Sequence, residues 1–194
     1  MYTRSIKFAL AATIMALGVQ SSLAAGEHVP AVTDYANTNI MPWINDSAVV
    51  AAIAAQNEAN AGLTQAEIDA LDQKWRAGVD GGDMTLIDTV LGNSLSEFLR
   101  GKQMASNGVI TEIFVMDSKG LNVGQSDVTS DYWQGDEGKW KKTYGSGDAA
   151  AIFVDEAEKD ESTQMLQSQV SMTIADASGA PIGAITIGIN LNEL

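Results

Sequence analysis

Ile110-Thr111-Glu112-Ile113-Phe114-Val115-Met116-Asp117-Ser118-Lys119-Gly120-Leu121-Asn122-Val123-Gly124-Gln125-Ser126 marks where the hydrophobic period of this chain changes. Upstream, apolar residues recur at three and four; from Val109 onward they alternate at two, the signature of a strand. Ile110, Glu112, Phe114 and Met116 fall on one face, and Thr111, Ile113 and Val115 on the other. Asp117-Ser118-Lys119-Gly120 supplies turn chemistry, with Gly120 free to take a positive φ, so residues 121–126 are expected to return as the hairpin partner. Three more strands are expected at residues 150–154, 164–175 and 182–189. In the second of these, Val170, Met172 and Ile174 alternate with Gln169, Ser171 and Thr173; in the last, Ile185, Ile187 and Ile189 point inward. Helices first and strands later predict an α+β domain in which N-terminal helices pack on a five-stranded antiparallel sheet.

The helices are signalled by caps as well as by period. Asp46 or Ser47 is placed to open a helix whose apolar face runs through Val49, Val50, Ile53, Ala54 and Asn57. Thr64 with Glu67 is a capping box ahead of Ile68, Leu71 and Trp75. Glycines between 78 and 82 break the pattern, residues 84–91 resume it, and Ser94 with Glu97 reads as a second capping box before Leu95, Phe98 and Leu99. Residues 25–45 hold two of the three prolines and are expected to form an extended arm tethered by Trp43. Residues 1–24 have the parts of a secretory signal peptide: Arg4 and Lys7, an apolar run from Phe8 to Val19, and small residues at Ser22 and Ala24 before the cleavage point. That run is shorter than the ~20 residues of a spanning helix. The expectation is therefore an exported, free-standing periplasmic domain over residues 46–194.

Composition narrows the chemistry. The chain has 11 Lys and Arg against 25 Asp and Glu; losing Arg4 and Lys7 with the leader leaves nine cations and a charge of −16. Such a surface disfavours nucleic acid and anionic lipid and favours cationic or amphoteric ligands. There is no cysteine, and His28 is the only histidine, placed in a segment expected to be mobile. Disulfides, thiolate metal sites and histidine-based catalysis have no residues to use, and no cofactor is indicated. The acidic run 155–161 reads as a solvated turn between strands, with a calcium site as the lesser alternative because it lacks the glycine of an EF-hand loop.

The costliest irregular stretch is Asp127-Val128-Thr129-Ser130-Asp131-Tyr132-Trp133-Gln134-Gly135-Asp136-Glu137. Large aromatic rings on a loop point to ligand contact. Adjacent Tyr132 and Trp133 point apart on an extended segment, so one is expected to face the ligand and the other to anchor the loop. Trp140, on an expected short helix over residues 136–142, closes a second wall. Asp127 and Asp131 are candidates to accept hydrogen bonds from an ammonium group, or to join an aromatic ring around a quaternary amine. The plainer reading makes Trp133 and Trp140 minor-core residues, and Asp127 and Asp131 turn caps.

The order of these elements, with the strand, Asp-x-x-Gly turn and strand of residues 113–126, Asp131-Tyr132-Trp133 in the next loop and the final strand Ile182-Gly183-Ala184-Ile185-Thr186-Ile187-Gly188-Ile189, resembles extracytoplasmic PAS-like sensor domains of the Cache (PDC) superfamily. The resemblance implies a long N-terminal helix on an antiparallel sheet and a small-molecule pocket between the sheet and the loops beyond the second strand. It also implies an acidic ligand contact at Asp155, and a signalling partner in the membrane: a kinase, chemoreceptor or cyclic-dinucleotide enzyme. The chain is expected to depart from the family's best-known members in being free-standing, and it has no arginine near the Tyr-Trp segment, where amino-acid sensors hold a carboxylate. Lys139, Lys141 and Lys142 are the nearest cations.

Two other functions compete. A hydrolase would need a carboxylate pair such as Asp131 and Glu137; Gly145-Ser146-Gly147 lacks the frame of a nucleophile elbow and no base is at hand, so the reading is non-enzymatic. A ligand-independent accessory subunit would instead use the Val49, Val50 and Ile53 face for a partner or a homodimer.

Overall fold

The computed structural model describes residues 26–159 and 165–194; the expected leader lies outside them, as does the end of the 155–161 acidic run. Helices α1 (Val29–Tyr35), α2 (Met41–Ile44), α3 (Ser47–Asn60), α4 (Gln65–Val79), α5 (Thr85–Leu91) and α6 (Ser94–Ala105) precede strands β1 (Ile110–Met116) and β2 (Asn122–Gln125). Then come α7 (Gly138–Lys141), β3 (Ile152–Val154), the two-residue β4 (Glu158–Lys159), β5 (Leu166–Ala175) and β6 (Pro181–Asn190). The sheet is antiparallel in the order β2-β1-β6-β5-β3, with β4 also paired to β5. This is the expected α+β architecture, five strands in series plus a short edge piece.

The expected extended arm is helical. Residues 36–40 form a π-helical stretch that joins α1 to α2, and Pro30 and Pro42 sit in the first turns of their helices, where a missing N–H costs nothing. Val32, Ala36, Ile40 and Ile44, at a constant spacing of four, are all buried in the main core. Trp43 does tether the segment, by edge-on packing against Phe98 of α6, while its Nε1 donates to the Asn39 carbonyl within the segment at 2.8 Å. His28 is not free either: it is buried, and its Nε2–H donates to the Asp155 carbonyl at 2.8 Å.

One face of the sheet carries the main core. Val49 and Ile53 of α3 and Leu95 and Leu99 of α6 meet Ile113, Val115, Val170, Met172, Ile174, Ile185, Ile187 and Ile189. Ala54, expected on the apolar face of α3, is exposed; Gln56 and Asn60 take its place, both donating to the buried Asp117 carboxylate at 3.0 and 2.8 Å. Ile110 also joins this face, against its expected alternation with Phe114, because the β1–β6 register slips between Ile110 and Glu112. The capping box on α4 forms as expected, whereas α6 is capped by Asn93, which accepts from Ser96 N at 2.8 Å, and Ser94 is its first residue. A second cluster, Ile68, Trp75, Ile87, Val90, Leu121 and Tyr132, lies beyond the hairpin turn. A third, Phe114, Met116 and Ala184 with Trp140 and Tyr144, marks the opposite face of the sheet, which the loop between β2 and β3 covers.

Candidate functional site

That covering loop is pinned along one line. Asn122 N donates to the Tyr132 carbonyl (3.0 Å) and Gln134 N to the Gly120 carbonyl (2.7 Å), so the loop returns beside the hairpin turn. Gly120 has φ +82°, and a Cβ there would lie 2.5 Å from the backbone of Gly135, so both the turn and the loop's close approach require glycine. From the other side, Asp72 of α4 accepts from Tyr132 N and Trp133 N at 2.8 and 3.0 Å.

The adjacent aromatics do point apart. Tyr132 is buried and stacked on Trp75, ring centroids 5.3 Å apart and 17° from parallel. Burial, then the nearby Asp117 charge, pushes its phenol up to about 12. Trp133 turns outward, donating from Nε1 to the Lys119 carbonyl at 2.8 Å, and Trp140 donates to the Asp117 carbonyl at 3.1 Å. With Leu63, Ile68 and Lys119 these two indoles line an outer groove of about 440 Å³.

The acidic candidates go elsewhere. Asp127 is exposed beside α6, accepting from Gln103 Nε2 at 2.9 Å, and lines neither that groove nor the two recesses that hold Asp131 and Asp155. Asp131 lines a recess of about 140 Å³ on the sheet face, walled also by Glu112, Phe114, Gln134, Lys139 and Gln169. Asp155 lines a neighbouring recess of about 280 Å³ with Glu137, Glu156 and Glu158, and the two recesses share Lys139 and Gln169. Together they make a trough between the sheet and the loop. The six residues singled out from sequence are thus divided among a core position (Tyr132), an outer groove (Trp133, Trp140), the trough (Asp131, Asp155) and an outlying surface (Asp127).

The trough depends on residues the loop-centred reading missed. Gln169 Nε2 donates to Glu112 Oε1 at 2.8 Å across the sheet, and Ser171 and Thr186 bond at 2.9 Å further along the same face. Their signal lay in alternation: a glutamate between Ile110 and Phe114, and a polar stripe Gln169, Ser171, Thr173 in β5, both on the face away from the isoleucines. Gln134, only 1% exposed, donates from Nε2 to the Asp131 carbonyl (3.2 Å) and to its Oδ1 (2.8 Å). Both neighbours are acceptors, so the amide is fixed in this sense, and its Oε1 is left buried without a partner among the described residues. Lys139 Nζ pairs with Glu137 at 2.9 Å and stands 5.4 Å from the centroid of the Phe114 ring.

The arginine that sequence proximity did not supply comes from α4. Arg76 pairs with Asp72 at 2.6 Å and with Asp131 at 3.1 Å, so its charge is committed behind the loop. Asp131 and Glu137, the carboxylates considered for hydrolysis, are each tied to a separate cation. No group of three or more acidic or histidine side chains among the described residues is arranged to hold a metal ion. No described helix is long and apolar enough to cross a membrane.

No family model matches the chain, and no curated protein does. Solved structures similar to it are sensor domains. The Vibrio cholerae histidine kinase DctB sensor domain shares 14% identity over 86% of this chain and 52% of its own, with a TM-score of 0.47. The sensory domain of the Campylobacter jejuni chemoreceptor Tlp3 (CcmL) shares 14% over 83% and 55%, with a TM-score of 0.42. The ligand-binding domain of the Pseudomonas aeruginosa PAO1 amino acid chemoreceptor PctC, in complex with GABA, shares 14% over 61% and 55%, with a TM-score of 0.39. The chain spans about half the length of these sensor domains.

Proposed function

We propose that this chain is a periplasmic small-molecule sensing module, that its ligand occupies the trough between the polar face of the sheet and the covering loop, and that it signals through a separate membrane protein. One observation carries the reading: the covering loop encloses, against a polar sheet face, a recess lined by Glu112, Phe114, Asp131, Lys139 and Gln169 that adjoins the recess at Asp155.

The trough is also connected to the N-terminal helices. The Asp155 carbonyl, at its outer end, accepts from His28 and from Ser168 Oγ, both at 2.8 Å. A ligand that moves this end of β3 acts on α1, and α1 is the element through which we infer a partner reads occupancy. A coupling of about 1 to 3 kcal/mol suffices for such a signal. The Val49, Val50 and Ile53 face considered for a partner is core on α3, so protein contacts must use another surface.

Thermal shift of the intact exported protein against amines, organic acids and other small metabolites tests the reading. A ligand at 100 times its Kd adds about 2.7 kcal/mol. Stabilisation that persists in Trp133→Ala and is lost in Glu112→Gln supports the trough; a panel without effect at millimolar concentration counts against ligand sensing.

A further inference from the structure

We infer that Asn107 is a site of spontaneous deamidation, and that its isoaspartyl product loosens the join between α6 and β1. Asn107 is the only asparagine in the sequence that precedes a glycine. It sits at φ +53°, the only described non-glycine residue with a positive φ, and Gly108 follows at φ +94°. Both are exposed, and among the described residues neither the Asn107 side-chain amide nor the Gly108 N–H has a hydrogen-bond partner. Gly108 has no side chain to screen its nitrogen. The turn around them is held by long bonds, Asn107 N to the Met104 carbonyl at 3.4 Å and Val109 N to the Ser106 carbonyl at 3.3 Å. Such bonds are weak, so the turn opens locally and lets the Gly108 nitrogen reach Asn107 Cγ.

In that step an N–Cγ bond forms, the Cγ–Nδ2 bond breaks, and the Gly108 amide proton leaves with the side-chain nitrogen as ammonia, closing a five-membered imide. Water then cleaves the imide. Cleavage at Cγ gives aspartate; cleavage at the main-chain carbonyl carbon gives isoaspartate, in which the chain runs through Cβ and Cγ and is one methylene longer. Nothing is oxidised or reduced. Asp80 also precedes a glycine, but Gly81 N donates to the Gly78 carbonyl at 2.9 Å, which withholds the nitrogen there. The added methylene falls in a tight link. Ser106 Oγ donates to the Gln103 carbonyl at 2.7 Å and accepts from Ile110 N at 2.9 Å, so it ties the last turn of α6 to the first residue of β1. Beside it, Asn190 N donates to the Val109 carbonyl at 2.8 Å. Lengthening the chain between Ser106 and Ile110 loosens both ties.

The test is to age the intact protein in warm neutral buffer and map its peptides by mass spectrometry, with a fragmentation method that separates isoaspartate from aspartate. Asn107 converts at least about tenfold faster than any other asparagine, a barrier difference of about 1.4 kcal/mol, and Asp80 stays unchanged. Asn107→Gln, whose longer side chain closes no five-membered ring, ages without the new species. Asn107→Asp carries the added charge without the extra methylene, so it isolates the effect on the backbone. Amide exchange at Ile110 is about fivefold faster in the separated isoaspartyl form than in Asn107→Asp, the scale of one hydrogen bond. Conversion of Asn107 no faster than that of the other asparagines overturns the site. Isoaspartate at Asp80 as fast as at Asn107 overturns the argument from the free Gly108 N–H. Equal exchange at Ile110 in the isoaspartyl form and in Asn107→Asp overturns the loosening of the join.

Discussion

Asp117 shows how one side chain sets the geometry of the site. It is fully buried, and its two oxygens take four donors: Lys119 N and Leu121 N at 2.8 and 2.9 Å on Oδ1, Gln56 Nε2 and Asn60 Nδ2 at 3.0 and 2.8 Å on Oδ2. It therefore closes the hairpin turn and bolts that turn to α3. Asp117→Ala strands these donors and is expected to cost about 3 kcal/mol or more, read as a lower urea midpoint at unchanged m. Tyr132 gives a pH signature. Its phenol titrates near 10 when unfolded and at about 12 when folded, so its contribution is whole below pH 10 and is lost as pH rises toward 12. The two-unit shift corresponds to about 2 to 3 kcal/mol. Urea midpoints measured from pH 9 to 12 are expected to fall in the native chain and to fall less in Tyr132→Phe. The sequence announced that one of Tyr132 and Trp133 anchors the loop, because neighbours on an extended segment diverge. Which one does so depended on Trp75, 57 residues earlier, and no local signal reports that partner.

Among elements, the N-terminal helices were the least legible. Two prolines read as breaks, yet each stands in the first turn of a helix, and the four-residue spacing of Val32, Ala36, Ile40 and Ile44 was the better guide. The π-helical stretch preserves that spacing between them. His28 then fastens α1 to the end of β3. His28→Ala is expected to cost about 1 to 2 kcal/mol and to speed amide exchange at Val32 and Ala36 more than at Ile185, which would mark α1 as a separately opening unit. The Asp117–Gly120 turn was fully legible, down to the positive φ. Gly120→Ala meets the Gly135 backbone as well as a strained φ, and is expected to cost more than about 2 kcal/mol by chemical denaturation.

At the scale of the whole molecule, the sheet divides the chain into two chemistries. The isoleucine face of β5 and β6 carries the helices and most of the apolar burial; the opposite face carries Glu112, Phe114, Gln169, Ser171 and Thr186 under a loop. Both faces were written in the alternation of the strands, which is why the α+β architecture was readable from sequence. The resemblance implied a pocket between the sheet and this loop, but the pattern of residues alone did not show the trough, because it needs the loop to fold back over β1, and the contacts that hold it there come from Asp72 and Gly120, far apart in sequence. Attention fell on the aromatic rings of the loop, whereas the polar sheet beneath them supplies the recess. The most direct test is a crystal structure of the protein purified without dialysis. Density seated in the trough, against Glu112 and Phe114, is the expected result; a bound molecule found only in the groove between Trp133 and Trp140 would contradict the assignment.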